Sequence, residues 1–276
     1  MSERRVVLVT GSTDGIGRAT ARALAAAAGM KVILHGRSKG KVDAVLAELA
    51  GELPGAELEG ISFDLGSQKA VRNGAAQILD RLPALHVLVN NAGIFATERT
   101  LTDDGVELTF AVNHLAGFLL TELLLPRLLE SATATPSRVI DVSSVAHGRG
   151  RIHLGDLGLA SGWTGYAAYA QSKLANVMHA LSLAEQHDPE QLVAYSLHPG
   201  VISTKLLRQG FGPVAGAPVD AGAKTSIRLA SAESVDAPSG SYFSDGVATK
   251  PASAAMDATT RQGLWDASRR LTGIAG

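Results

Sequence analysis

The chain has 276 residues, a formal net charge of −1 and 46% hydrophobic residues, enough to bury roughly three-quarters of its unfolded surface in one or two domains. Its balanced charge removes the electrostatic reason to expect nucleic acid or an anionic membrane as a partner. It contains no cysteine, which excludes disulfides, thiol nucleophiles and thiolate metal sites and suits a reducing compartment, so a cytoplasmic location is expected.

The first residues, Met1-Ser2-Glu3-Arg4-Arg5, run directly into an apolar strand pattern, without the basic, apolar and small-residue succession of a signal peptide. Arg5–Thr10 reads as a strand, followed by an alanine-rich helix from Gly15 to Ala28 that carries Arg18 and Arg22 outward. Lys31–His35 is the second strand and Lys39–Ala50 the helix after it. Leu58–Phe63, His86–Asn90, Arg138–Ser143 and Leu192–Leu197 read as further strands with helical stretches between them, and Ser241-Tyr242-Phe243 as a last edge strand. The most lipid-like stretch, Phe118 to Arg127, is interrupted by Glu122, Pro126 and Arg127, well short of the about 20 apolar residues of a membrane span. It reads as a buried helix.

Runs such as Val6-Val7-Leu8-Val9 indicate strands buried on both faces. Strand–helix alternation without a linker or repeat predicts one α/β domain over 1–276: a Rossmann-type three-layer fold with a parallel sheet of about seven strands. Ligands of such sheets sit beyond the carboxyl ends of the strands, which directs attention to Thr10, His35, Phe63, Asn90 and Ser143.

The first strand ends in Thr10-Gly11-Ser12-Thr13-Asp14-Gly15-Ile16-Gly17. Glycines here let the backbone approach a pyrophosphate closely, and the helix N-terminus offers N–H groups to that anion. No Gly-Lys-Ser/Thr follows, which argues against an ATPase. A site for NAD usually presents an acid about 20 residues past the glycines. Here the second strand ends His35-Gly36-Arg37-Ser38, with no acid until Asp43. Arg37 is placed to pair with a 2′-phosphate, so NADP(H) is the expected cofactor.

Asn113 lies in a helix after the fourth strand, Ser144 follows the fifth, and Tyr169 and Lys173 share one face of the next helix at i and i+4. Hydride reduction of a carbonyl leaves an alkoxide that must be protonated as it forms. The expectation is that Tyr169 is the acid/base, that the Lys173 cation and an oxidised nicotinamide lower its pKa from about 10, and that Ser144 donates to the developing oxyanion. Tyr166 competes with Tyr169, but its i+4 residue is Ala170; Ser143 competes with Ser144.

These motifs resemble those of the short-chain dehydrogenase/reductase family over nearly the whole chain. Thr10 to Gly17 matches its T-G-x-x-x-G-x-G turn, Asp64-Leu65 resembles the acidic pair that holds adenine, and Asn90-Asn91-Ala92-Gly93 is similar to its N-N-A-G loop. Asn113, Ser144, Tyr169 and Lys173 fall on the catalytic tetrad, which favours Ser144 over Ser143; His198-Pro199-Gly200 and Thr204 match the segment near the nicotinamide carboxamide. Finer stretches, among them Ser144-Val145-Ala146-His147, Tyr169 to Asn176 and Leu264 to Ser268, look like the branch containing retinol dehydrogenases and the WW-domain oxidoreductase. Asp141 and Asp14 depart from that branch. The resemblance implies Lys173 on the nicotinamide ribose, Asn113 organising a water relay, and a homodimer or homotetramer through helices near 113–129 and 169–186. The expected cofactor-binding set is Gly11, Ser12, Gly15, Ile16, Gly17, Arg37, Ser38, Asp64, Leu65, Asn90, Asn91, Ala92, Gly93, Tyr169, Lys173, Pro199, Gly200, Val201 and Thr204.

The substrate wall is expected from Ile94–Phe95, Gly148–Trp163 and Val201–Val219, with a mobile lid near 201–222. Leu154, Leu157, Trp163, Leu206, Leu207 and Phe211 would make it apolar, suited to a hydrophobic ketone, aldehyde or secondary alcohol. His147 and His153 are read as loop histidines, and no metal-ligand spacing occurs. The rival is a non-catalytic NADP-binding redox sensor, which would ordinarily lack Tyr169 or Lys173.

Overall fold

The computed structural model describes residues 4–274. Met1–Glu3, on which the reading against a leader partly rests, and the last two positions of the expected 1–276 domain lie outside the described residues. Alternation along β1 (Arg5–Val9) sets the architecture. Val6 and Leu8 join one core while Val7 and Val9 join another, because successive strand side chains point to opposite faces. Both faces need a helical cover, which is why the run is apolar throughout.

The remaining strands are β2 (Met30–Gly36), β3 (Glu57–Ser62), β4 (Val87–Asn90), β5 (Ser137–Val142), β6 (Leu192–His198), β7 (Tyr242–Ser244) and β8 (Val247–Thr249). They form one sheet in the order β3-β2-β1-β4-β5-β6-β7-β8. The first seven run parallel, and β8 pairs antiparallel to β7. This eighth strand exceeds the about seven expected from parallel-sheet patterning. The helices are α1 (Gly15–Ala25), α2 (Lys39–Glu52), α3 (Gln68–Arg81), α4 (Leu108–Glu130), α5 (Gly165–Gln186), α6 (Lys205–Phe211), α7 (Val219–Ser231) and α8 (Ala258–Thr272). Leu24 of α1, Val45 of α2 and Leu229 of α7 fill one face of the sheet. Ile78 of α3, Leu120 of α4 and Leu183 of α5 fill the other.

Among the described residues, α4 is the one helix with the length and apolarity to cross a membrane, and 67% of its most apolar window is buried inside the fold. Its Phe118, Leu119, Leu120, Leu124 and Leu128 pack in the core beneath the sheet. Within it, Ala111–Leu115 winds as a π-helix, a local widening that recurs at functional sites.

Helix α8 lies across α4 and α5. The Trp265 ring meets Phe118 edge-on at 4.9 Å and stacks on His179 at 6.0 Å, and Ser268 Oγ meets His114 Nε2 at 3.0 Å. Every residue of α5 from Ala168 to Ala180 is buried. Helix α8 thus packs on the two helices through which the resemblance implies a homodimer or homotetramer.

Candidate active site

Strand order reverses between β1 and β4, and the crevice at that switch is where α/β sheets bind ligands. A cavity of about 1290 Å³ opens there, larger than the roughly 300–1,000 Å³ of common small-molecule pockets. It has room for a dinucleotide and a substrate together.

The glycine turn forms one wall. Gly11 and Gly15 have positive φ, +65° and +54°, which glycine adopts without steric cost. A Cβ on Gly17 would collide with the Gly11 carbonyl and the Asn91 amide. Asp14 caps α1, its carboxylate accepting from Gly15 N at 2.9 Å and pairing with Lys205 at the head of α6. An anion at the place where a pyrophosphate would approach is thus balanced by a cation. The turn is braced from below: Asn91 Nδ2 donates to Thr10 O (2.8 Å), and Gly11 N donates to His35 Nδ1 (3.2 Å). His35 Nε2 donates in turn to the Phe63 carbonyl (3.1 Å), so the ring is neutral, and burial holds its pKa down to about 4. Sequence reading marked His35 only as a strand end; its buried pattern position gave no sign of this bridging role.

Of the expected cofactor residues, Gly11, Gly15, Ile16, Gly17, Arg37, Asp64, Leu65, Asn91, Ala92, Gly93, Tyr169, Lys173, Pro199, Gly200, Val201 and Thr204 line the cavity. Ser12, Ser38 and Asn90 do not. Ser12 Oγ turns inward and accepts from His35 N at 2.8 Å. Ser38 precedes α2 and makes no side-chain cap there. Asn90 is the last residue of β4, and its amide donates to Asp141 Oδ1 (2.9 Å) and Thr121 Oγ1 (3.1 Å) under the sheet. Arg37 is exposed, and no described residue pairs with its guanidinium.

The four proposed reacting groups converge at the other end. Tyr169, Lys173, Asn113 and Ser144 are 6%, 3%, 4% and 9% exposed, while Tyr166 is 42% exposed and sits at the mouth. Lys173 Nζ donates to Val142 O (2.8 Å) and lies 5.6 Å from the Tyr169 ring centroid. Ser143 Oγ is consumed by the Lys173 carbonyl (2.7 Å). Ser144 is the serine whose side chain acts on the phenol, drawing its pKa down against burial. Asn113, in the π turn, clasps Ile94 from both sides: its Oδ1 accepts from Ile94 N (2.7 Å) and its Nδ2 donates to Ile94 O (3.0 Å) and Ser172 Oγ (2.9 Å). It ties the loop after β4 to α5.

Without a nicotinamide, the phenol is not acidic. Burial pushes Tyr169 up to about 12, with Ser144 pulling the other way, and burial pushes Lys173 down to about 8 against the opposing pull of Asp141. In the protein alone desolvation dominates, and the phenol keeps its proton.

The substrate wall also differs from expectation. Leu206, Leu207 and Phe211 line the cavity, and Phe95 packs on Tyr169 and Phe211 with ring centroids 5.5 Å away in each case. Leu154 instead packs toward Gly263 of α8, Leu157 joins a separate core, and Trp163 Nε1 donates to Glu107 (3.3 Å). Of Gly148–Trp163 only Arg149 reaches the cavity, and Val145, Ala146, Tyr166 and Val214 complete the wall. His147 is buried between Ser144 O and Ala252 N, and His153 is exposed outside the cavity. Among the described residues there is no group of three or more metal-binding side chains.

A parallel sheet with a glycine-lined crevice at its switch point, and a phenol, a hydroxyl and an ammonium buried beside it, defines a nucleotide-dependent oxidoreductase class. Comparison with known proteins narrows this. The short chain dehydrogenase family model matches residues 5–211. Mouse (Mus musculus) retinol dehydrogenase 12 is 37% identical over 98% of this chain and 87% of that protein, and human (Homo sapiens) retinol dehydrogenase 13 is 37% identical over 98% and 85%. The structure of an uncharacterized protein from Mycobacterium Paratuberculosis is 35% identical, with a TM-score of 0.81 over 98% of this chain and 94% of that one. A short chain dehydrogenase from Escherichia coli CFT073, complexed with NADPH, has 25% identity and a TM-score of 0.71 over 89% and 98%. The chain belongs to the short-chain dehydrogenase/reductase family, in its retinol-dehydrogenase-like branch, and is an alcohol/carbonyl oxidoreductase that uses a nicotinamide cofactor on small-molecule substrates.

Proposed function

We propose that this enzyme transfers a hydride between NADP(H) and a hydrophobic ketone, aldehyde or secondary alcohol, with Tyr169 as general acid/base. The observation that carries the reading is the convergence of Tyr169, Ser144 and Lys173, all nearly inaccessible to water, on the cavity that the glycine turn and Arg37 also line. The nicotinamide, when bound, supplies the hydride to the carbonyl carbon and leaves oxidised. Tyr169, whose proton is held tightly, donates it to the carbonyl oxygen as the C=O π pair moves there. Ser144 donates a hydrogen bond to the same oxygen. Lys173, anchored on Val142 O, holds positive charge near the phenol ring and would hold the ribose of a bound nicotinamide nucleotide, and Asn113 fixes the Ile94 backbone at the site's edge. Cofactor choice rests on Arg37, a cation just after β2 with no partner among the described residues and suited to a 2′-phosphate. The sensor reading gains nothing from the site, since all four groups are present and buried.

The test is consumption of NADPH and of NADH across hydrophobic carbonyls, with the unmodified enzyme and R37E. NADPH is expected to be the better cofactor, and R37E should raise its KM about ten- to a hundredfold while leaving NADH little changed. Equal or better use of NADH by the unmodified enzyme overturns the NADP assignment. Bound NADPH with no turnover of any carbonyl would favour the sensor instead.

A further inference from the structure

The substrate end of the cavity carries an unbalanced charge. Its apolar wall is interrupted by two arginines: Arg149 closes the short 3-10 turn Val145–Arg149 that opens at Ser144, and Arg208 lies on α6 one turn before Phe211. Phe211 in turn packs its ring 6.0 Å from Tyr169, so the two guanidiniums come from the two segments that flank the phenol. Both are exposed to the cavity, and neither has an ion pair or hydrogen bond to a described residue. The cavity's other cations are accounted for within the protein or the cofactor reading. Lys205 pairs with Asp14, Arg18 with Glu48 and Arg22 with Glu52, Lys173 is anchored on Val142 O, and Arg37 stands at the adenosine end.

Among the described residues that line the cavity, no carboxylate comes from the segments that carry Arg149 and Arg208. The cavity's carboxylates are Asp14, Glu52, Asp64, Asp103 and Asp220, from the glycine turn, the end of α2, the loops after β3 and β4, and the head of α7. None comes from 142–149, 166–169 or 206–214, the stretches around the phenol. A wholly neutral hydrophobic substrate would make no use of either cation. A guanidinium's planar fork matches a carboxylate, and single-sign charge in a cleft of low dielectric raises the local concentration of the opposite ion.

Resting on the hydride-transfer reading above, we propose that the substrate is a carbonyl compound with an apolar body and a carboxylate at its far end, bound by Arg149 and Arg208. The apolar body lies along Val145, Phe211 and Val214, the carbonyl meets Tyr169 and Ser144, and the carboxylate reaches the arginines at the mouth. The chemistry at the carbonyl is unchanged: hydride to carbon, proton from Tyr169 to oxygen, cofactor oxidised.

The experiment compares an ω-oxo fatty acid with its methyl ester of equal chain length, using NADPH and the unmodified enzyme, R149Q, R208Q and the double variant, with NADPH affinity measured for each. The acid is expected to exceed the ester at least tenfold in kcat/KM, chiefly through KM, with the advantage shrinking as salt rises. Each single variant should cut that ratio, and the double variant should bring it near unity with ester turnover and NADPH affinity held within about threefold. An ester turned over as well as the acid overturns the proposal while leaving hydride transfer intact. So does an acid preference that survives the double variant, or an R208Q whose main effect is weakened NADPH binding. Loss of turnover of both compounds in the unmodified enzyme removes the functional reading itself, and this inference with it.

Discussion

Two serines, two tyrosines and a lysine sort themselves by what they touch. Ser143 is spent on the backbone of α5, leaving Ser144 for the phenol. Tyr166 stands in the mouth while Tyr169 is sealed against Phe95 and Phe211. That seal has a consequence for pH. With the phenol held up at about 12 and the lysine down at about 8, the protein alone keeps Tyr169 in its acid form at neutral pH, ready for carbonyl reduction. As pH rises through the Lys173 value, the ammonium is lost and the charge near the phenol goes with it. We therefore expect kcat/KM for reduction to be level from pH 6 to 7 and to fall above about 8. Alcohol oxidation, which needs the phenolate beside the ammonium, should rise toward pH 8 and level off above it. A rate profile for both directions checks this, and a reduction rate that climbs through pH 9 would contradict it. The pairing of phenol and lysine was legible because i and i+4 fix a shared helix face. The balance of their pKa values was not, since desolvation depends on neighbours such as Phe95 and Phe211, distant in the chain.

At the scale of elements, the strand–turn–helix at the start of the chain was readable because each local signal agrees: apolar strand, positive-φ glycines, then a capped helix. Gly17 is its tightest point. Replacing it with alanine drives a methyl into the Gly11 carbonyl and the Asn91 amide that brace β1 against β4. The expected cost is about 2 kcal/mol of stability, with NADPH binding weakened more than tenfold. Gly40→Ala in α2, where a Cβ meets nothing within 4 Å, is the control and should be neutral or stabilising. Denaturant titration and cofactor fluorescence read both, and a G17A protein with unaltered NADPH affinity would be inconsistent with the cradle described. Other elements were misjudged for identifiable reasons. Asn90 ends β4, and strand alternation sends its side chain under the sheet to Asp141 and Thr121, while Asn91 beyond the strand stays at the cavity. The segment Gly148–Trp163 is drawn away by partners far along the chain, with Leu154 beside Gly263 and Trp163 on Glu107. Strand β8 did have a signal: Asp245 and Gly246 both adopt positive φ, 51° and 76°, as the two-residue Asp-Gly turn of a tight hairpin requires.

For the whole molecule, two cores sandwich one sheet, and α8 closes the face that α4 and α5 would otherwise present. This last packing lay beyond the sequence patterns, because Trp265 meets Phe118 and His179 only after the chain has folded back on itself. In the proposed reading, the assembly holds one phenol, dry and protonated, beside a cavity large enough for a dinucleotide and its substrate. That claim is tested most directly by Y169F in single-turnover reduction, with NADPH affinity measured on the same preparation. Loss of the proton donor should slow the chemical step about a hundred- to ten-thousandfold with NADPH affinity nearly unaltered. A Y169F enzyme that reduces its carbonyl at close to the unmodified rate would contradict the account.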